Sequence, residues 1–200
     1  MSGLELGSLY TIEELRQMLG SVGENVAVNR SVVFYSPKNI HVGSNSRIDC
    51  FSILSASSSG IVIGDHVHVS AYVGLFGASG NIVVESFCAL SSRVTAFTST
   101  DDYVDGFMSN PTVPREFRKE QIGDVMFKKH ALIGCGSVIM PGVTIEVGAS
   151  VGALSFVNKN VPEFAVAAGI PCRVIGQRNR RLLELEATLL AQPNRDRKGA

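Results

Sequence analysis

Every sixth residue from 127 to 157 is apolar: Phe127, Ile133, Ile139, Ile145, Val151 and Val157. The same register runs upstream through Val22, Val28 and Phe34, then Val42, Ile48 and Leu54, then Ile63, Val69 and Leu75, then Val84, Leu90 and Ala96. Four positions later in most units stands a small residue or a valine, as at Ser46, Ser52, Val67, Cys88, Ala131, Ser137 and Ser155. The rule extends to Ser58 and Ser79, strains at Thr100 and breaks at Lys38. A period of six fits neither a helix nor an alternating strand. It predicts a coil of three short strands, in which one aliphatic side chain per side points to the axis and a small residue fills each corner. Glycine is expected to make the turns between sides, because it tolerates positive φ.

Coil starts at 22, 42, 63, 84, 127 and 145 predict about six coils. The fold class is therefore an all-β repeat, a parallel β-helix over residues 22–176. The 43-residue step from 84 to 127 leaves 25 residues beyond an 18-residue coil. They form a loop insertion at 98–124, TSTDDYVDGFMSNPTVPREFRKEQIGD, which is rich in charge and lacks the repeat. A long loop in a compact repeat usually carries function. Residues 1–21 are predicted to form a helical cap: Thr11 and Glu14 make a capping box, and Leu15, Met18 and Leu19 give an apolar face. Residues 177–190 are predicted to form a C-terminal helix with Leu182, Leu185 and Leu189 on one face, and 191–200 a flexible tail.

Composition narrows the function classes. The chain has 200 residues, with 18 basic and 18 acidic side chains, so formal net charge is zero. That gives no electrostatic footprint for a nucleic acid. Mean hydropathy is +0.21 and charged residues are 18%, which predicts a folded chain. No apolar run is long enough to span a membrane, and the N-terminus has no basic-then-apolar leader, so a cytoplasmic protein is expected. Four cysteines lie 37 to 47 residues apart without a CxxC pair, which points to reduced thiols rather than a zinc ribbon.

The stretch IGCGSVIMPGVTIEVGASVGALSFVNKNVPEFAVAAGIPCRVI resembles the C-terminal half of galactoside and maltose O-acetyltransferases. The whole chain, with its TDDY loop and LLELE tail, is similar to the sugar acetyltransferases of O-antigen and capsule gene clusters. The resemblance is to the hexapeptide-repeat family and implies a left-handed β-helix, a homotrimer with active sites between subunits, and acetyl-CoA as co-substrate, with no metal. The acceptor it implies is a sugar or nucleotide sugar used in surface-polysaccharide synthesis. Carried over by position, Cys135 stands where the family usually has Ser against the cofactor arm. Ala153 matches the small residue beside pantetheine, Asn158–Lys159 the usual Thr–Lys pair, and Arg173 the basic residue that meets the CoA phosphates. An arginine suits that place because phosphates need charge-assisted donors.

Acetyl transfer from a thioester requires the acceptor to lose a proton, and a histidine is the usual base. The galactoside-type enzymes carry it in a T-G-H context after the fourth coil. Here that stretch reads VTAFTSTDDY and has no histidine. Of His41, His66, His68 and His130, the candidate base is His68, which lies between corner residue Val67 and inward Val69 and should point outward. Asp101 and Asp102 are candidates to orient the base or bind sugar hydroxyls, and Tyr103 and Asn110 to face the sugar. Whether oxygen or nitrogen is acylated stays open, since an ammonium also has to be deprotonated. Two other classes compete. One is a zinc enzyme of the γ-carbonic-anhydrase kind, which needs three converging histidines. The other is a non-catalytic trimeric scaffold, motivated by the missing T-G-H histidine.

Overall fold

The structure, a computed structural model, describes residues 7–192. Three parallel sheets form the sides of a solenoid. The first stacks Ser21–Val22, Ile40–Val42, Ile61–Ile63, Ile82–Val84, Val125–Phe127 and Thr144–Ile145. The second runs from Ala27–Val28 through Arg47–Ile48, His68–Val69, Ala89–Leu90, Leu132–Ile133 and Ser150–Val151 to Ala165–Ala168. The third runs from Val33–Tyr35 through Ile53–Ser55, Gly74–Phe76, Thr95–Phe97 and Val138–Ile139 to Phe156–Val157. Six coils are complete. A seventh begins where Val161 bridges Ile145 and Ala165–Ala168 pairs with Ser150–Val151.

The six-residue register is the core. All its axial residues from Val42 to Val157 are buried. Val22 and Phe34 stay partly exposed because no coil precedes them. The first helix, α1 (Ile12–Met18), plugs that end with Leu15 and Leu19. Its capping box is formed: Thr11 Oγ1 accepts the Glu14 N–H at 3.2 Å, and Glu14 accepts the Thr11 N–H at 2.7 Å.

Two features of the coil differ from the sequence expectation. Ser58 and Ser79 do not fill corners; both are exposed. At the third corner the two or three extra residues of each coil leave the axis early. Ala56, Gly77 and Thr98, two positions after the axial residue, take the buried place instead. Nor is positive φ mainly a glycine property here. At the first corner Asn25, Asn45, His66, Phe87 and His130 adopt it, and at the second Phe51, Tyr72, Arg93 and Leu154. The left-handed region costs a non-glycine residue roughly 1–2 kcal/mol. Stacking between coils offsets it: His66 lies 4.8 Å from Phe87, Phe87 5.1 Å from His130, and Phe51 5.1 Å from Tyr72, centroid to centroid. Glycine takes the same turn positions, as expected, at Gly136, Gly142 and Gly148, and elsewhere it serves close approach. A Cβ on Gly134 would sit 2.4 Å from the Ala153 nitrogen in the next coil.

The insertion has a stem. Ser99–Asp101 pairs antiparallel with Glu120–Ile122, and the Gly123 N–H closes it on the Thr98 carbonyl at 2.9 Å.

The C-terminal helix, α2, is shorter than expected. It spans Arg181–Leu190, and Gln177, expected in the helix, instead ends the strand Arg173–Gln177, which folds back antiparallel on Ala165–Ala168. The last strand of the second sheet would otherwise present unpaired backbone groups. The docking face also differs: Leu182 and Leu189 are half-buried, but Leu185 is exposed and Glu186 takes its place. Glu186 faces two partners, since His130 Nε2 lies 2.7 Å from its carboxylate and Lys129 pairs with the other oxygen. Burial pushes the Glu186 carboxyl up, but these hydrogen bonds outweigh it and hold it below its usual value. A carboxyl held low stabilises docking above the ordinary carboxylate range and loses that contribution as pH falls through it. We therefore expect Glu186→Gln to speed amide exchange across Arg181–Leu190 near neutral pH, and acidification to do the same to the native chain. Unchanged exchange in the variant would show that α2 is held by its leucines alone. The tail expected at 191–200 lies, from residue 193 onward, outside the described residues.

Candidate active site

The corner at Val67 separates two histidines that strand alternation alone would place together. His66 takes positive φ and joins the corner stack; His68 begins the next side and points out of the second sheet. Its neighbours in register are Arg47 in the coil before and Ala89 in the coil after. Asp49, two residues past Arg47, reaches across. Its Oδ2 lies 2.8 Å from His68 Nε2, and its Oδ1 accepts from Arg47 Nε at 2.5 Å.

The dyad has the form of an oriented base. The Asp49 side chain is only 21% exposed, while that of His68 is 48% exposed. Burial pushes the Asp49 carboxyl up, but hydrogen bonds from Arg47 and His68 outweigh it and keep it below its usual value. A carboxylate on Nε2–H fixes the neutral ring with its lone pair on Nδ1. Among the described residues Nδ1 has no protein partner, so it is available to an acceptor's proton.

The other histidines are engaged differently. His41 Nδ1 is 2.9 Å from Ser21 Oγ, His66 stacks on Phe87, and His130 is buried against Glu186. Among the described residues no three His, Cys, Asp or Glu side chains converge as a metal site would require.

The expected cofactor residues fall into two groups. Cys135 and Ala153 are exposed neighbours at the second corner of successive coils, where the Leu154 N–H donates to the Cys135 carbonyl at 2.8 Å. Asn158 and Lys159 are exposed at the third corner. Lys159 and Arg173 line one cleft of about 260 Å³ with Asn160, Pro162 and Cys172. Cys172 is buried in its wall, and burial pushes its thiol up. The last strand of the third sheet, Phe156–Val157, lies between the two groups.

The loop candidates mostly fold the loop. The Asp102 carboxylate accepts the N–H groups of Asp105, Phe107 and Val104, and the Asp105 bond above all holds it below its usual value. Asp101 accepts the Asn110 N–H at 3.2 Å, and Asn110 Oδ1 accepts from the Thr112 backbone and hydroxyl. Tyr103 is 84% exposed at the tip. The residue that orients His68 within the chain is thus Asp49 rather than Asp101 or Asp102. The sequence holds the signal that finds it: one coil of 21 residues before His68 is Arg47, and Asp49 has the same outward parity.

No protein-family model matches the chain. Among curated proteins it is 41% identical over 175 residues to dTDP-4-amino-4,6-dideoxy-D-glucose acyltransferase of Escherichia coli, covering 87% of this chain and 91% of that protein. It is 31% identical over 167 residues to galactoside O-acetyltransferase of Escherichia coli strain K12, covering 84% of this chain and 68% of that one. Among solved structures it is similar to AntD, an N-acyltransferase from Bacillus cereus, in complex with dTDP and 3-hydroxybutyryl-CoA. The identity is 36% and the TM-score 0.88, covering 92% of this chain and 97% of that one.

Proposed function

Because the chain belongs to the family of left-handed β-helix sugar acyltransferases, as its 41% identity over 87% of its length establishes, we propose that it transfers an acyl group from acyl-CoA to the 4-amino group of a dTDP-linked 4-amino-4,6-dideoxyhexose. One observation carries this choice of acceptor. The relative named for such a nucleotide sugar and an AntD variant solved in complex with dTDP-4-amino-4,6-dideoxyglucose match from end to end, at 91% and 98% of their lengths, whereas the galactoside enzyme matches over 68%.

In this account the sugar nitrogen attacks the thioester carbon as the carbon–sulfur bond breaks. The nitrogen's proton passes to His68 Nδ1 and then to the departing sulfur, leaving an amide and free CoA. Asp49 holds the ring and stabilises the imidazolium formed in between. Lys159 and Arg173 take the CoA phosphates, and Cys135 and Ala153 flank the pantetheine arm. Asn158 stands beside Lys159 and offers the arm an amide. Asp101, Asp102 and Asn110 shape the loop that presents Tyr103 to the sugar. Since His68 and the Lys159–Arg173 cleft occupy coils far apart along one chain, we place three copies around a three-fold axis, with each site between neighbours. The acylated sugar then serves surface-polysaccharide assembly. Among the described residues no helix is long and apolar enough to cross a membrane, which suits a nucleotide-sugar enzyme.

The product's bond distinguishes the acceptors. Incubation with acetyl-CoA and dTDP-4-amino-4,6-dideoxyglucose should give an acetylated nucleotide sugar that survives mild alkaline hydroxylamine, as an amide does. Release of the acetyl group by that treatment would assign an ester, and with it a hydroxyl acceptor.

A further inference from the structure

The described arginines and lysines of the insertion are not equivalent. Lys119 is paired with Asp105. Arg115, on the single turn Arg115–Phe117, has no ion-pair partner among the described residues and is exposed. Arg118 is the unusual one. Its side chain is only 10% exposed, and its Nη1 donates to Glu120 Oε1 at 3.0 Å. Its Nε is fully buried and has no hydrogen-bond partner. A buried guanidinium N–H left unpaired is unfavourable, and such groups in folded proteins call for an explanation. Both arginines line one cleft of about 250 Å³, which the loop forms against the third corner of the third coil together with Ser79, Glu120 and Ile122.

The position of this cleft matters as much as its charge. The Lys159–Arg173 cleft lies at the far end of the helix, in the sixth and seventh coils. The arginine cleft lies at the level of the third coil, the coil that carries His68. Stacked strands are about 4.8 Å apart, so the two cationic clefts are separated by roughly 14 Å or more along the axis. Two phosphate-bearing substrates need two such places. Resting on the nucleotide-sugar reading above, we propose that the cleft of Arg115 and Arg118 binds the diphosphate of the nucleotide sugar. A diphosphate suits it: the guanidinium fork matches phosphate oxygens, and a second negative group draws Arg118 away from the single carboxylate of Glu120 and pairs its idle Nε.

The same chemistry is carried by the phosphates of CoA, so the test has two arms. The intact protein, Arg118→Met and Arg115→Ala are each titrated calorimetrically with dTDP and, separately, with CoA. Arg115 is exposed, so its variant keeps the test open if Arg118→Met fails to fold. We expect each variant to bind dTDP about tenfold or more weakly, as loss of a charge-assisted pair implies, with CoA affinity unchanged. Weaker CoA binding with dTDP binding intact would assign the cleft to CoA and overturn the proposal. Native affinity for dTDP in both variants would overturn it while leaving the nucleotide-sugar reading standing. A native protein that binds CoA but not dTDP would overturn both.

Discussion

Replacing His68 by alanine is expected to lower kcat by roughly 10²–10⁴-fold, the usual contribution of a positioned general base. The ring lies on an exposed face and its side chain is 48% exposed, so its loss opens no cavity in the core. Stability should therefore stay within about 0.5 kcal/mol of the native chain. KM for both substrates should change little, because the cations proposed to bind their phosphates lie on other elements. Asp49→Asn is the sharper companion. It keeps the shape but offers an amide where the ring needs a carboxylate, so kcat should fall while KM holds, and Asp49→Glu should recover part of the loss. Since Asp49 is held below its usual value, it remains charged throughout the range in which an imidazole titrates. Any acidic limb of the rate profile in that range then belongs to another group. If His68→Ala retains native kcat, the base assignment is wrong, and the approach of an already neutral amine would suffice for the chemistry.

The largest effect on stability is expected at Phe127. With Phe164 it is the largest fully buried side chain among the described residues, and it sits on the axis between Val84 and Ile145 of the adjoining coils. Phe127→Ala removes a ring from a stack whose neighbours are fixed by backbone hydrogen bonds on both sides, so the void collapses poorly. A loss of about 3–5 kcal/mol is expected. In denaturant titration this should lower the midpoint while leaving the slope unchanged. The folded fraction should retain native kcat, because Phe127 is an axial core side chain whereas His68, Cys135, Ala153, Lys159 and Arg173 are exposed on the outside of the coils. A loss under about 1 kcal/mol would mean that coils slide to fill the gap, contrary to a rigid register.

The coil was legible because it is a one-residue code. A single aliphatic position repeating every six residues identifies the axis without knowledge of any partner, and the axial residues from Val42 to Val157 are indeed buried. The third corners were less legible. Their extra residues shift the buried place from Ser58 and Ser79 to Ala56 and Gly77, and a local period cannot register that slip. The C-terminal boundary was misplaced because Arg173–Gln177 answers an open sheet edge, a demand set by tertiary structure rather than by its own residues. The candidate site shows the same division. The outward placement of His68 follows from its position between a corner and an inward residue. Asp49 becomes visible only when adjacent coils are aligned, because its role depends on a contact 19 residues away in sequence. The Lys159–Arg173 cleft depends on how the seventh coil folds over the sixth, which the motif implies but the period does not.

Acyl transfer to the amino sugar itself is tested most directly by thiol release. The purified protein is given acetyl-CoA with dTDP-4-amino-4,6-dideoxyglucose, and separately with dTDP-glucose, which carries hydroxyls but no amine. Stoichiometric release of CoA, together with an acetylated nucleotide product, is expected in the first mixture and background in the second. Equal release with both, or release with neither while CoA still binds, would contradict it.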